Sequence, residues 1–296
     1  FVSILFVDKK VIVTGCSGFI GFHLTSALLD KGYKVIGIDS LNDAYDVNLK
    51  KFRLSKIEEN KNLEFLNFNL SDLSSYDELK KLSVDTAAIY HMAARAGVRQ
   101  SFMTPENYVQ DNTVATMNVA KFVKLNNIPK LILASTSSVY GDSGDLLMSE
   151  NKDEKIQPPS VYASTKLSGE ILSKIMMEDS PTNLVIPRFF TVYGPYGRPD
   201  MSILRFIHWV IEGKEVLVHG NGEQMRSFTY INDVIEALLL MLDYQDSDTF
   251  NVGSDTTVSL NDVLKTIEKY SGEEAKIKNE ERAYKDPDVV RPNLEN

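Results

Sequence analysis

The spacing Gly15-x-x-Gly18-x-x-Gly21 constrains what this chain can fold into more than any other feature. It lies directly after an apolar run, Val11-Ile12-Val13-Thr14. It opens an amphipathic stretch from Phe19 to Lys31 with Phe19, Ile20, Leu24, Ala27 and Leu28 on one face. Glycines let the backbone turn sharply, let a pyrophosphate approach the main chain, and let helix and strand pack closely. The helix N-terminus then offers unpaired N–H groups and a positive dipole end to the phosphates. Three glycines alone can be a structural turn; the strand before and the helix after make them a dinucleotide motif. Asp39 ends the next strand, Val35 to Ile38, where a carboxylate accepts hydrogen bonds from an adenosine ribose. The same charge repels a 2′-phosphate, which favours NAD over NADP.

The rhythm set by this opening continues. Strands are predicted at Leu63 to Phe68, Ala87 to His91, Leu131 to Ala134 and Leu184 to Ile186, and long helices over Pro105 to Leu125 and Tyr162 to Met177. Strands alternating with helices imply a parallel sheet, so the fold class is α/β, a doubly wound Rossmann-type sheet. Past Pro187 the texture changes. A turn-rich loop, Gly194 to Pro199, precedes a helix at Ile203 to Ile211, a strand at Glu215 to Val218 and a helix at Asp233 to Leu242. Ser259 is placed as the N-cap of a last helix reaching Tyr270, with Asp262 three residues on. The expected organisation is a dinucleotide-binding domain over 1–187 and a smaller substrate-binding region over 188–296, with elements near 228–253 returning to the main sheet.

Charge and cysteine content narrow the partners. Lys and Arg total 32 against 41 Asp and Glu, a net charge of −9, which argues against nucleic acid or an anionic membrane surface as the main partner. Cys16 is the single cysteine, so no disulfide forms within the chain, as expected in the reducing cytoplasm. No run of about 18 apolar residues is present to span a membrane. The apolar opening from Phe1 to Val7 lacks a basic flank and reads as a strand or fragment edge rather than a signal peptide. The four histidines show no metal-ligand spacing, so no metal is expected.

A second constellation, Tyr162-Ala163-Ser164-Thr165-Lys166, sets a tyrosine and a lysine four apart on one helical face. An ammonium there is expected to lower the phenol's pKa and make Tyr162 a general base toward a substrate hydroxyl. Together with Gly15 to Gly21, His91-Met92-Ala93-Ala94 and Ser135 to Gly141, this pair resembles the extended short-chain dehydrogenases/reductases acting on nucleotide sugars, the NAD-dependent epimerase/dehydratase family. The resemblance runs from Lys10 to about Asn293. It implies catalytic roles for Thr136, Tyr162 and Lys166, supported by Asn112. It implies cofactor contacts from Gly15, Gly18, Phe19, Ile20, Gly21, Asp39, Asn69, Leu70, Ala93 and Lys166. Asn69 stands where the family often has Asp. Relatives continue past position 296 with further helices, so a shortened C-terminus is expected. They also pair through a helix bundle, which the two long helices match; burial within one chain is the alternative.

The resemblance also bears on the reaction. Related dehydratases and decarboxylases carry an acidic residue just after the reactive hydroxyl, whereas this chain has Ser137-Ser138. Without a proton donor there, the expected outcome is rotation of a 4-keto sugar and return of hydride to its other face. Thr191, where neutral-hexose enzymes usually have Asn, and Arg198, whose planar fork suits a carboxylate, make Arg188 to Met201 similar to UDP-glucuronate 4-epimerases. Leu41 to Val47 and Arg95 to Arg99 share that likeness. Substrate contacts are expected from Arg95, Ser137, Ser138, Thr191 and Arg198, with Arg226 and Arg291 reaching the UDP diphosphate. A neutral UDP-hexose 4-epimerase, a UDP-glucuronate decarboxylase and a non-catalytic NAD-sensing scaffold stay open as alternatives.

Overall fold

A computed structural model describes residues 10–72, 75–142, 147–150, 156–281 and 287–295 of the chain. The expected strand at Phe1 to Val7 lies outside the described residues. The elements run β1 (Lys10–Thr14), α1 (Phe19–Asp30), β2 (Lys34–Ile38), α2 (Val47–Ser55), β3 (Leu63–Leu66), α3 (Ser75–Lys81) and β4 (Thr86–His91). Next, α4 (Pro105–Tyr108) passes through a π-helical stretch (Val109–Val114) into α5 (Ala115–Leu125). Then follow β5 (Lys130–Leu133), β6 (Ser135–Thr136), α6 (Val161–Met177), β7 (Asn183–Phe189), β8 (Thr191–Tyr193) and α7 (Ser202–Ile211). The chain closes with β9 (Glu215–His219), β10 (Met225–Tyr230), α8 (Ile231–Asp243), β11 (Asp248–Val252), β12 (Thr257–Ser259), α9 (Leu260–Ser271), β13 (Lys276–Glu280) and β14 (Val289–Val290).

The main sheet is ordered β11-β7-β5-β4-β1-β2-β3, with the short β6 beside β7, and its pairs are parallel. Strand alternation explains why it is covered on both faces. Val11 and Val13 of β1 point into one apolar layer with Leu24 and Leu28 of α1 and Val234 and Leu238 of α8. Ile12 joins Ile89, Leu131, Val119 and Phe122 in the layer on the other face. Strand order reverses between β1 and β4, and a ligand crevice opens beyond the carboxyl ends of strands at such a point. Both the glycine turn, after β1, and Ala93, after β4, lie there.

The chain returns to the sheet late, because β11 pairs with β7 from Asp248↔Val185 to Val252↔Phe189. Between and after these strands, Phe206, Val210, Val216, Val218, Leu264 and Ile267 form a separate small core joining α7, β9 and α9. Ser259 caps α9 as expected: its hydroxyl accepts from the Asp262 amide at 3.0 Å. Two expectations need correction. β3 stops at Leu66 rather than Phe68, since β2, its pairing partner, ends at Ile38. The helix expected over Pro105 to Leu125 is interrupted by the π stretch that carries Asn112.

Candidate active site

A cleft of about 370 Å³ opens at the reversal point. Its floor is the glycine turn, where two glycines are required by geometry. Gly15 has φ +70°, and a Cβ on it would sit 2.8 Å from the Ala93 backbone. A Cβ on Gly21 would sit 2.0 Å from the Gly15 carbonyl oxygen. Gly18, the N-cap of α1, offers no side-chain cap, so the first amides of the helix stay available to an anion. Asp39 is buried at the end of β2, where its carboxylate accepts from the Ser17 amide at 3.0 Å and the Leu41 amide at 2.9 Å. Phe19, Ile20, Asn69, Leu70 and Ala93 line the same end of the cleft. Asn69 closes a local turn, accepting from the Ser71 amide at 3.0 Å. A glycine floor facing a helix N-terminus, with the Asp39 carboxylate lining the same cleft, fits an NAD.

At the other end stand Thr136, Ser137, Ser138, Tyr162 and Lys166. Thr136 and Tyr162 line this end together, and the Thr136 hydroxyl accepts from the Ser138 amide at 3.2 Å. Burial raises the phenol's pKa, while Thr136 and the charge of Arg198 pull it back down. This corrects one expectation, that the lysine four residues on lowers the tyrosine: Lys166 has no part in the balance. Lys166 is itself 5% exposed, and burial lowers its pKa to about 8 against the attraction of Glu170. Glu170 is held in place by Arg188 through a two-point pair, at 3.0 Å and 2.7 Å, and also accepts from Ser135. Asn112 is buried beneath this group. Its amide donates to the Arg95 carbonyl at 2.9 Å and to Thr165 Oγ1 at 3.0 Å, and its oxygen accepts from the Arg95 amide at 2.7 Å. A π-helical turn re-aims a side chain, here tying the loop after β4 to α6 beside Lys166. His91, packed at the end of β4, bridges Thr14 and Thr116, and burial lowers its pKa to about 3, so it stays neutral.

Thr191 and Arg198 close the cleft from the side of the small core. Arg198 donates two hydrogen bonds to Asp200, at 3.1 Å and 2.6 Å, and one to the Ala96 carbonyl at 3.0 Å. The carboxyl groups lining the cleft are occupied too: Asp39 by the two amides named above and Asp111 by Arg95 at 2.8 Å. Three expected contacts fall outside the cleft lining. The Arg95 side chain is turned to Asp111. Arg226 donates to the Met225 carbonyl at 2.8 Å, and the exposed Arg291 follows β14, the strand paired with β10. The last two are therefore neighbours of each other, outside the cleft lining.

Sequence reasoning missed Lys50. It is buried in the cleft wall, 2.9 Å from the Asn42 carbonyl and 5.0 Å from the centre of the Tyr45 ring. Burial lowers its pKa. A lysine in the middle of Val47 to Ser55, a helix of mean polar character, looks like a solvated face from sequence; only the fold turns it inward.

Together these features define an enzyme class: a Rossmann-type protein that seats a dinucleotide against a Thr-Tyr-Lys group open to a second, bulky ligand. The chain belongs to the NAD dependent epimerase/dehydratase family, whose model matches residues 11–253. It is 39% identical over 269 residues to a UDP-glucuronate 4-epimerase of Thermodesulfobacterium geofontis, covering 90% of this chain and 81% of that one. The structure of a UDP-glucuronic acid 4-epimerase from Bacillus cereus, in complex with UDP-glucuronic acid and NAD, superposes with a TM-score of 0.90 at 34% identity, over 96% of this chain and 90% of that one. A UDP-N-acetylglucosamine 4-epimerase from Methanobrevibacter ruminantium gives 0.86 at 29% identity, over 97% and 90%.

Proposed function

We propose that this chain is an NAD-dependent 4-epimerase converting UDP-glucuronate to UDP-galacturonate through a transient 4-keto sugar. The observation that carries the reading is one cleft lined by Tyr162 and Thr136 together with Thr191 and Arg198, with serines rather than an acid at 137 and 138. Bound NAD supplies a hydride acceptor that becomes a donor within the same turnover. The glycine turn, Asp39, Asn69, Leu70, Ala93 and Lys50 would hold it.

Tyr162 takes the proton of the C4 hydroxyl as hydride leaves, and gives it back after the sugar turns over. Thr136 holds that oxygen. Lys166, whose pKa burial lowers to about 8, would hold the nicotinamide ribose and feed the proton path. Both acids lining the cleft among the described residues are already engaged, so neither is a free carboxylic acid for a leaving hydroxyl, and elimination is disfavoured. Thr191 and Arg198 hold the C6 carboxylate out of alignment with the C4 carbonyl, which suppresses loss of carbon dioxide from the β-keto acid. Arg226 and Arg291 serve the diphosphate when the substrate spans from the reactive end outward, and residues 188–296 supply most of the substrate side.

One feature favours a neutral UDP-hexose instead: Asp200 already occupies two donors of Arg198. Proton NMR of purified protein with UDP-glucuronate and no added NAD decides. A mixture of UDP-glucuronate and UDP-galacturonate supports the proposal. A UDP-pentose with carbon dioxide makes the enzyme a decarboxylase, and turnover of UDP-glucose or its N-acetylated analogue alone overturns the roles given to Thr191 and Arg198.

No helix among the described residues is long and apolar enough to cross a membrane. A cytoplasmic enzyme acting as a homodimer fits the remaining surface. Val109, Met117, Ile171 and Ile175, on the long helices around α5 and α6, are exposed apolar residues suited to a helix bundle between two copies. Light scattering at twice the mass of 33.3 kDa supports the dimer, and a monomer refutes it.

A further inference from the structure

Arg53 is fully buried, yet among the described residues none of its hydrogen-bond acceptors is a carboxylate. A guanidinium has five N–H donors, and here each has an oxygen. Nε donates to the Tyr196 carbonyl at 3.0 Å, and Nη2 to the Tyr196 and Gly197 carbonyls at 2.7 Å and 3.0 Å. Nη1 donates to the Ser17 carbonyl at 3.2 Å and the Tyr45 hydroxyl at 2.6 Å. Ser17 lies inside the glycine turn. Tyr196 and Gly197 lead directly into Arg198. One planar side chain thus spans the floor of the dinucleotide seat and the loop that presents Arg198 to the sugar.

Burying a guanidinium with carbonyls and a phenol rather than a carboxylate in hydrogen-bond contact is costly, so the arrangement serves something beyond packing. The loop needs an external hold, because Tyr196 has φ +57°, a left-handed conformation disfavoured for a tyrosine. Its carbonyls turn inward to the guanidinium as a result. His23 of α1 adds one further tie, 2.9 Å from the Pro195 carbonyl oxygen. Tyr45 completes the latch: its hydroxyl receives Arg53, and its ring lies 5.7 Å from the Arg198 guanidinium.

We propose that Arg53, backed by Tyr45, is a positioning residue that fixes the Arg198 loop to the cofactor-binding turn, so that the sugar's carboxylate is held in register with the dinucleotide. This rests on the epimerase reading for its substrate, but not for its mechanics.

Two variants test it on the protein as purified: Arg53→Lys, which keeps the charge and loses the fork, and Tyr45→Phe, which removes one acceptor and keeps the ring. Hydrogen exchange is measured first, without any sugar nucleotide. The expected result is exchange over residues 193–201 faster by about tenfold, the scale of one lost charge-assisted hydrogen bond, with α5 unchanged. With UDP-glucuronate, KM rises by about tenfold, kcat falls less, and the share of decarboxylated pentose product increases while bound NAD stays. Unchanged exchange at 193–201, a uniform rise that includes α5, or loss of NAD with the loop unaffected would each overturn the proposal. If Arg53→Lys does not fold, Tyr45→Phe decides by the same criteria. A wild type inactive on UDP-glucuronate sinks the substrate reading alone, and the exchange result still decides the role of Arg53.

Discussion

Replacing Lys166 by methionine should make this protein more stable while abolishing its activity. The side chain is 5% exposed, and burial lowers its pKa from 10.5 to about 8. A difference of about 2.5 in pKa corresponds to about 3 kcal/mol between the charged and neutral forms. Below about pH 8 the ammonium is charged in both the folded and the unfolded chain, and the folded chain bears the full burial penalty. Between about pH 8 and 10.5 the unfolded chain binds more protons, so the wild type gains stability as pH rises through that window. Methionine has a similar length and no charge to bury, and Glu170 keeps its two-point pair with Arg188. At pH 7 the variant should therefore exceed the wild type by up to about 3 kcal/mol, or about 5 °C in Tm for a chain of this length. The advantage should fade by pH 10.5. Urea unfolding of both proteins from pH 7 to 10.5, without added nucleotide, measures the gap, and subtraction cancels the other titrating groups. A variant no more stable than wild type at pH 7, or a gap that ignores pH, would refute the reasoning.

Other perturbations test other parts of the account. Tyr162→Phe should lower kcat by about a thousandfold while NAD stays bound, which steady-state rates and cofactor absorbance check together. Gly21→Ala drives a Cβ into the Gly15 carbonyl oxygen, so NAD should no longer co-purify. Lys130 is buried and donates to the Met241 and Leu242 carbonyls at 3.1 Å and 2.7 Å, closing the C-terminal end of α8. Lys130→Met should cost about 1–3 kcal/mol in denaturant unfolding, with kcat nearly unchanged.

Much of this architecture was legible because local signals and topology agree. The glycine turn needs a strand before it and a helix after it, and alternating βα units leave a parallel sheet as the simple solution. Ser259 and Asp262 could be read as a cap because capping is local chemistry. What escaped is what depends on distant chain segments. Lys50 and Arg53 lie on a short polar helix, and their burial follows only once other segments fold onto it: Asn42 and Tyr45 against Lys50, Tyr196 and Gly197 against Arg53. The Tyr162–Lys166 spacing is helical and visible in the sequence, but the phenol's electrostatics come from burial first, opposed by Thr136 and Arg198, all set by segments distant in sequence. Arg226 and Arg291 are expected at the diphosphate from the family resemblance, and strand pairing sets them beside each other rather than in the cleft lining.

The central claim is that hydride leaves C4 and returns to the same sugar from a cofactor that never departs. UDP-glucuronate deuterated at C4, incubated with the purified protein and excess unlabelled NAD, tests it directly. The account predicts UDP-galacturonate with the deuterium still at C4 and none in the free nucleotide pool. Loss of the label to that pool, or to water, would contradict it.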